Sequence, residues 1–268
     1  MPPPPRPLLL NFVLLWRHAA ARAFTGRRPI VFGILLALPV LLAWLQVKND
    51  PGVDTSDFVG VMLMFVFQFV VPLSGLFLGV AALGDEIEGR TLTYLFTRPH
   101  PRPLVFLARY MGLAFAFALL LFVTVVFTAH IYSTRVPLTR AQIVGSASVA
   151  ALGFIVYAAL FAALRVFVQR ALFVGFILGF IFEGGVSKLP DSGISRWSVW
   201  HHLALLETRL FDVRVASSGD LRDLLGGITP EETVVGSLVV LASVLVVSLA
   251  AGAWRVRSQE TRLANAST

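Results

Sequence analysis

The sequence predicts an all-α integral membrane protein with six transmembrane helices, an N-terminal amphipathic interfacial helix and one amphipathic helix on the cytoplasmic side. Three observations predict it. Hydrophobic residues make up 57% of the 268-residue chain and charged residues 14%, where soluble proteins average about 45–50% and 25%. Six stretches reach or approach the roughly 20 apolar residues that a crossing requires. The basic residues gather on one side of those stretches. The chain has no cysteine, so no disulfide contributes, and no segment is large enough to fold as a separate nucleotide-binding domain.

Residues 1–29 read as a cytoplasmic tail and elbow. Met1 to Pro7 is proline-rich and carries Arg6, a short polyproline-like tail. From Leu8 to Phe24, Leu9, Phe12, Trp16, Ala19 or Ala20 and Ala23 recur at helical spacing, while Asn11, His18 and Arg22 share the other side. That pattern predicts an interfacial helix. Gly26 and Pro29 end it, and Arg27 and Arg28 anchor the next apolar run at the cytoplasmic face. A cleavable signal peptide is disfavoured, because Leu41, Leu42 and Trp44 offer no small-residue cleavage site.

Residues 30–254 carry the six expected spans, at about 30–47, 58–83, 104–129, 143–164, 171–187 and 233–254, and 255–268 form a cytoplasmic C-terminal tail. The fifth stretch is short for a straight crossing. It either starts inside the Arg165 to Arg170 turn or ends as a broken helix at Gly184 and Gly185. With six spans both termini share a side, and fourteen of the 22 Lys and Arg then fall on it. The first loop opposite holds Asp50, Asp54 and Asp57 against Lys48 alone, so the termini are expected in the cytoplasm of a bacterial inner-membrane protein. Thr139 with Gln142, and Thr229 with Glu232, have capping-box spacing ahead of apolar runs, with Pro230 in the first turn of the second. They fix the starts of the fourth and sixth spans.

The outer loop, 184–232, is the largest segment outside the spans. Trp197, Trp200, Leu203, Leu206 and Leu210 recur at helical spacing, with Arg196, His201 or His202, Glu207 and Arg209 elsewhere on the turn. Tryptophans at a water boundary predict a helix lying at the outer interface. His201 and His202, near Glu207 and Asp212, are residue types that can bind a metal, but sequence neighbours point to different helix faces. An interfacial pair is the expectation, with no metal site.

No Asp, Glu, Lys or Arg is expected deep in any span, which speaks against ion-coupled transport. The chain also lacks a phosphate-holding G-x-x-x-x-G-K-[ST] loop, a G-x-S-x-G and an H-E-x-x-H. It is not expected to be an enzyme or to bind a cofactor. Gly75 with Gly79 in the second span, and Gly175 with Gly179 in the fifth, form G-x-x-x-G pairs that let helices approach closely.

Between the second and third spans runs GDEIEGRTLTYLFTRPHPRPLVFLAR, Gly84 to Arg109. Asp85, Glu86 and Glu88 crowd a helix start, while Arg90, Arg98, Arg102 and Arg109 follow, the order that suits the helix dipole. Leu92, Leu95 and Phe96 share a face, and Pro99, Pro101 and Pro103 end the helix. The residues alone allow a solvated connector on the headgroups or a docking surface for a soluble partner. An acidic start at Asp85 and Glu86, Glu-x-Gly or a close variant at Glu88 and Gly89, Thr91-Leu92, an apolar pair that includes Leu95, then Arg98-Pro99 and Pro101-Arg102 resemble the loop after the second span in permease subunits of bacterial type 2 ABC transporters. Arg90 is a departure, standing between Gly89 and Thr91 where many relatives run Gly-Thr-Leu.

The resemblance implies that 85–98 is the coupling helix. It would dock an ABC ATP-binding subunit through Asp85, Glu86, Glu88, Gly89, Arg90, Thr91, Leu92, Leu95, Phe96 and Arg98. It implies two copies of that subunit, holding ATP and Mg, and a homodimer or heterodimer with a similar permease, in contact with membrane lipid and not with nucleic acid. It further implies a pathway at the dimer interface lined by the second and fifth spans: Phe69, Pro72, Gly75, Phe77 and Gly79 on one side, Gly175, Phe176, Gly179, Phe180 and Phe182 on the other. The outer loop would then cap the route. The function expected is ATP-driven export by alternating access. A non-transporting anchor or scaffold, and an ion-independent facilitator, are the alternatives.

Overall fold

A computed structural model of the protein describes residues 8–23, 28–88, 102–185, 194–211 and 233–266. The described residues form helices and their connections. They are α1 (Leu8–Ala23), α2 (Arg28–Asn49), α3 (Thr55–Val61), a π-helical stretch Met62–Val70 leading into α4 (Val71–Glu88), and α5 (Arg102–Tyr132). After α6 (Arg140–Phe167) come α7 (Ala171–Phe176) with a second π-helical stretch Ile177–Phe182, a 3-10 turn Ile194–Trp197, α8 (Val199–Leu210) and α9 (Val234–Ala266).

Five helices among the described residues are long and apolar enough to cross a membrane: Pro29–Asn49, Thr55–Ala81, Pro103–Tyr132, Arg140–Phe167 and Val234–Ser258. The stretch expected as the fifth crossing is different. Ala171–Phe182 consists of two six-residue pieces, giving about 18 Å at 1.5 Å per residue, against a hydrocarbon core of about 30 Å.

Local chemistry sets the ends of the helices. Thr139 caps α6 in a full capping box with Gln142: the Thr139 N–H donates to Gln142 Oε1 at 2.9 Å, and the Gln142 N–H donates back to Thr139 Oγ1 at 3.3 Å. Asp54 and Asp57 make a second box at the start of α3. Its signature is acidic at both positions, so the Ser/Thr-first pattern overlooks it. Thr229, Pro230 and Glu232 lie outside the described residues. The described start of α9 is closed by Thr233, whose Oγ1 accepts the Gly236 N–H at 3.1 Å.

The hub is α6, against which α4, α5, α8 and α9 all pack. Its buried residues include, set among Val149, Phe154, Val156, Tyr157 and Phe161, a run of small ones, Ser146, Ala147, Ala150, Gly153, Ala158, Ala159, Ala162 and Ala163. Between helices in lipid, where burying apolar surface gains little, such residues let backbones close up and dispersion add. The glycines of neighbours meet them. A Cβ on Gly75 would stand 2.7 Å from Tyr157 Cβ, and one on Gly79 would stand 2.6 Å from the Ala158 carbonyl oxygen and 2.9 Å from the Ala162 nitrogen. The first G-x-x-x-G pair therefore seats α4 on α6 within the chain. A Cβ on Gly252 of α9 would stand 2.7 Å from Phe106 and 3.5 Å from Ala163.

Around this hub, α5 carries α1 and α2 on its other flank. The α1 contact is close, since a Cβ on Gly112 would lie 2.6 Å from the Trp16 carbonyl oxygen. Trp16 and Phe115 rings are 6.1 Å apart, and Phe32 and Phe117 rings 4.5 Å apart. Two tyrosines of α5 tie the layers: Tyr110 Oη donates to the Ile155 carbonyl at 2.7 Å, and Tyr132 Oη donates to Gln46 Oε1.

Candidate gate at the broken fifth helix

The π-helical stretch Ile177–Phe182 ends at Glu183, Gly184 and Gly185. Glu183 is 6% exposed, and the expectation that no carboxyl group lies deep in the bundle is overturned there. Its neighbour across the interface is Tyr157. Tyr157 stands seventeen residues into α6, a 28-residue helix, so about 25 Å along a rod of about 42 Å. That places both groups near the middle of a hydrocarbon core of about 30 Å.

What holds a carboxyl group there is the N-terminus of α8. Glu183 accepts the Ser198 hydroxyl, the Val199 N–H at 3.2 Å and the Trp200 N–H at 3.0 Å. Ser198 Oγ in turn accepts the His201 N–H at 3.3 Å. The first N–H groups of α8 thus find acceptors, and the positive end of the helix faces the acidic side chain. The Tyr157 hydroxyl lies beside the same group without a close hydrogen bond. The sequence does carry a signal for Glu183, an acidic residue directly before Gly-Gly at the end of an apolar run.

The α8 helix is not the half-exposed interfacial helix expected from its tryptophans. Every residue from Val199 to Thr208 is buried, while Trp197, in the preceding turn, is 80% exposed. The Trp200 indole N–H donates to the Leu63 carbonyl at 3.2 Å, within a π-helical stretch of the kind that often marks functional sites. Leu203 sits on Gly153 of α6, where a Cβ would come within 2.5 Å of it. The polar residues placed on the outer turn by periodicity are buried too. Ser146 Oγ donates to Glu207 Oε1 at 2.6 Å. Burial pushes the Glu207 carboxyl group up to about 8, with the Ser146 hydrogen bond opposing.

His201 and His202 are likewise buried, at 1% and 6% exposure, which corrects their reading as an interfacial pair. His202 Nε2 lies 2.9 Å from the Arg196 carbonyl, an acceptor only, so that nitrogen carries a proton; Nδ1 lies within hydrogen-bond distance of Ser237 Oγ, at 3.0 Å. His202 therefore ties α8 to α9.

On the other side of the break lies an exposed aromatic face. Phe69, Phe77 and Phe176 are 45%, 43% and 50% exposed. Phe180 joins them, its ring 5.6 Å from Phe69 and 4.6 Å from Phe176. Gly175 and Gly179 turn inward, the first onto Leu76 and Phe161 and the second onto Phe161 and Pro72. The pathway residues inferred by resemblance thus divide. Phe69, Phe77 and Phe176 are exposed while Phe180 and Phe182 are half-buried, and the four glycines pack helices within the chain.

Residues 27–184 match the family described as ABC-2 family transporter protein. The chain belongs to this family. No curated protein matches it at a significant level. As an ABC-2 permease it is a multi-pass membrane component of transport, not itself catalytic, and such permeases generally work with an ABC ATP-binding subunit. The match runs from the start of the first span to Gly184 and leaves α8 and α9 beyond it. Of the coupling residues expected in this permease, Asp85, Glu86 and Glu88 belong to the last turns of α4. Gly89, Arg90, Thr91, Leu92, Leu95, Phe96 and Arg98 lie outside the described residues.

Proposed function

We propose that this ABC-2 permease is the membrane subunit of an ATP-driven exporter working by alternating access. Two permease chains pair through the aromatic face of α4 and α7, and each engages one ATP-binding subunit through 85–98. ATP and Mg belong to that partner. Both termini lie in the cytoplasm, and Ala171–Phe182 belongs to the fifth crossing.

The observation that carries this reading is the arrangement around the break. An open phenylalanine surface on α4 and α7 adjoins a buried polar clasp that holds the outer helix α8 by its N-terminus. An open aromatic face on a membrane subunit fits a second subunit across it and a route between them. The clasp fits an outer gate that is docked by a few specific bonds. Glu183 has its acceptor sites occupied by Ser198, Val199 and Trp200, so its place near mid-membrane supports a gate anchor over an ion-coupling group.

The test is extraction from native membrane followed by ATPase assay of wild type and Glu88→Lys. Co-purification of an ATP-binding protein whose hydrolysis the substitution uncouples or whose binding it abolishes is the expected result. A chain that purifies alone, with no nucleotide hydrolysis in any preparation, would refute it in favour of an anchor or facilitator.

A further inference from the structure

Away from the gate, α2 and α5 enclose a groove of about 570 Å³, lined among others by Gly33, Ala37 and Trp44 on α2 and Thr124, Phe127 and Ile131 on α5. That volume lies in the range of ligand sites, about 300–1,000 Å³. The wall presents no free polar group in its one hydroxyl, since Thr124 Oγ1 donates to the Leu120 carbonyl at 2.9 Å. From Gly33 to Trp44 the groove follows α2 for eleven residues, about 16 Å at 1.5 Å per residue. One leaflet of a hydrocarbon core about 30 Å thick is about 15 Å deep. The groove is about that long but is centred on α2, each end about 7.5 Å inside that of the helix, so a chain entering at the Trp44 end runs past the midplane toward Gly33.

Charge identifies which leaflet and which headgroup. The Trp44 end is the outer end, because Arg27 and Arg28 precede α2 and the acidic loop follows it. There Lys48 Nζ stands 4.6 Å over the Trp44 ring, a cation at the mouth. Beyond it lies Asp50, whose Oδ1 accepts the Gly52 N–H at 2.8 Å, and then Asp54 and Asp57, which are engaged in their capping box. One ammonium is followed in the chain by three carboxyl groups, so a purely anionic headgroup meets net repulsion. A headgroup carrying both a phosphate and an ammonium matches both signs. We propose that the groove holds an acyl chain of a zwitterionic phospholipid from the outer leaflet, its phosphate at Lys48 and its ammonium toward Asp50. The site is independent of the gate and of any ATP-binding partner.

The experiment places the full chain in vesicles of equal phosphatidylethanolamine and phosphatidylglycerol, with a photoreactive acyl chain on one lipid or the other, and maps the cross-linked peptides. The reference surface is the exposed side of α9 at Val235, Val239, Val246 and Val247. Labelling is expected to concentrate at 33–44 and 124–131 above that reference, and more from phosphatidylethanolamine than from phosphatidylglycerol. A Cβ at Gly33 meets nothing within 4 Å, so Gly33→Phe fills the groove without moving the backbone and brings labelling down to the reference. Lys48→Gln lowers it about two- to fivefold, the range for loss of one exposed ion pair. Labelling no greater than on α9, or phosphatidylglycerol labelling equal to or above phosphatidylethanolamine, overturns the proposal. A cross-link between the α2 helices of two copies overturns it in favour of a subunit contact.

Discussion

Glu183→Ala removes the acceptor shared by the Ser198 hydroxyl and the Val199 and Trp200 N–H groups. Two backbone donors at the buried start of α8 then lose their partner, at about 1–3 kcal/mol each, so about 2–6 kcal/mol disfavours the docked helix. Relief of the desolvation of an acidic side chain acts in the opposite direction. Glu183→Gln separates the two, since the amide oxygen still accepts while the ionisable group is gone. The absence of cysteine gives a clean assay. A single cysteine replacing Leu203, which is 0% exposed, is labelled with a membrane-impermeant thiol reagent added from outside, at a rate proportional to how often α8 opens. Even 2 kcal/mol corresponds to about thirtyfold in that population, at tenfold per 1.4 kcal/mol. Labelling should rise by about that factor or more in Glu183→Ala and by less in Glu183→Gln. A rate in Glu183→Ala within about twofold of the parent, less than 0.5 kcal/mol on the same scale, would refute the reasoning that this side chain docks the helix.

Three further outcomes follow from the contacts. Glu207 has its pKa raised from 4.5 to about 8 by burial, so its stabilising contribution is complete below pH 4.5 and is lost as pH rises toward 8, amounting to about 3 kcal/mol at pH 7; thermal unfolding in detergent should weaken across that window, and Glu207→Gln should flatten the slope. Asp54 has its pKa lowered, foremost by the Ser56 hydroxyl, so its cap is present above pH 3.8 and fades as pH falls through the lower folded value; Asp54→Ala should cost about 0.5–2 kcal/mol at neutral pH and little in strong acid. Gly79→Leu drives a side chain into the Ala158 and Ala162 backbone, which yields poorly, and should destabilise by about 1–3 kcal/mol or more, whereas Gly33→Leu enters open space and should melt within about 0.5 kcal/mol of wild type.

The long apolar helices were legible because lipid imposes a simple rule on them: enough consecutive apolar residues to cross, basic residues where they emerge. The Thr139–Gln142 box was legible because a cap is a local contact between residues three apart. What could not be read were the contacts that close only in three dimensions. Periodicity put Glu207 and the two histidines on a wet face, since on an isolated helix a polar stripe ordinarily faces water. Here Ser146 from α6 and Ser237 from α9 meet that stripe, so it is buried with partners. Glu183 escaped for the same reason, its partners lying fifteen to seventeen residues further on. The fourth span gave one sign that was not used. Its run of Ala, Gly and Ser is that of a helix approached closely from several sides, and it proved to be the hub.

That hub links the two ends of the proposed transport cycle. Gly75 and Gly79 bring α4 against the α6 backbone itself, with no long side chain between them to absorb a displacement. Higher on the same helix, Gly153 receives Leu203, and Ser146 bonds to Glu207, so α6 also carries the outer helix. In that proposed cycle, a push delivered at the Glu88 end of α4 would reach α8 by a short series of close contacts. Packed interfaces of this kind have discrete alternative arrangements and deform little between them. If α4, α6 and α8 move together, the yielding contact lies elsewhere on α8, and the Glu183 cap ties its N-terminus to the end of the Ala171–Phe182 helix. The clasp has few bonds, all at one helix end, and joins the element that breaks to the element that would open. Those are the properties required of the contact that parts first.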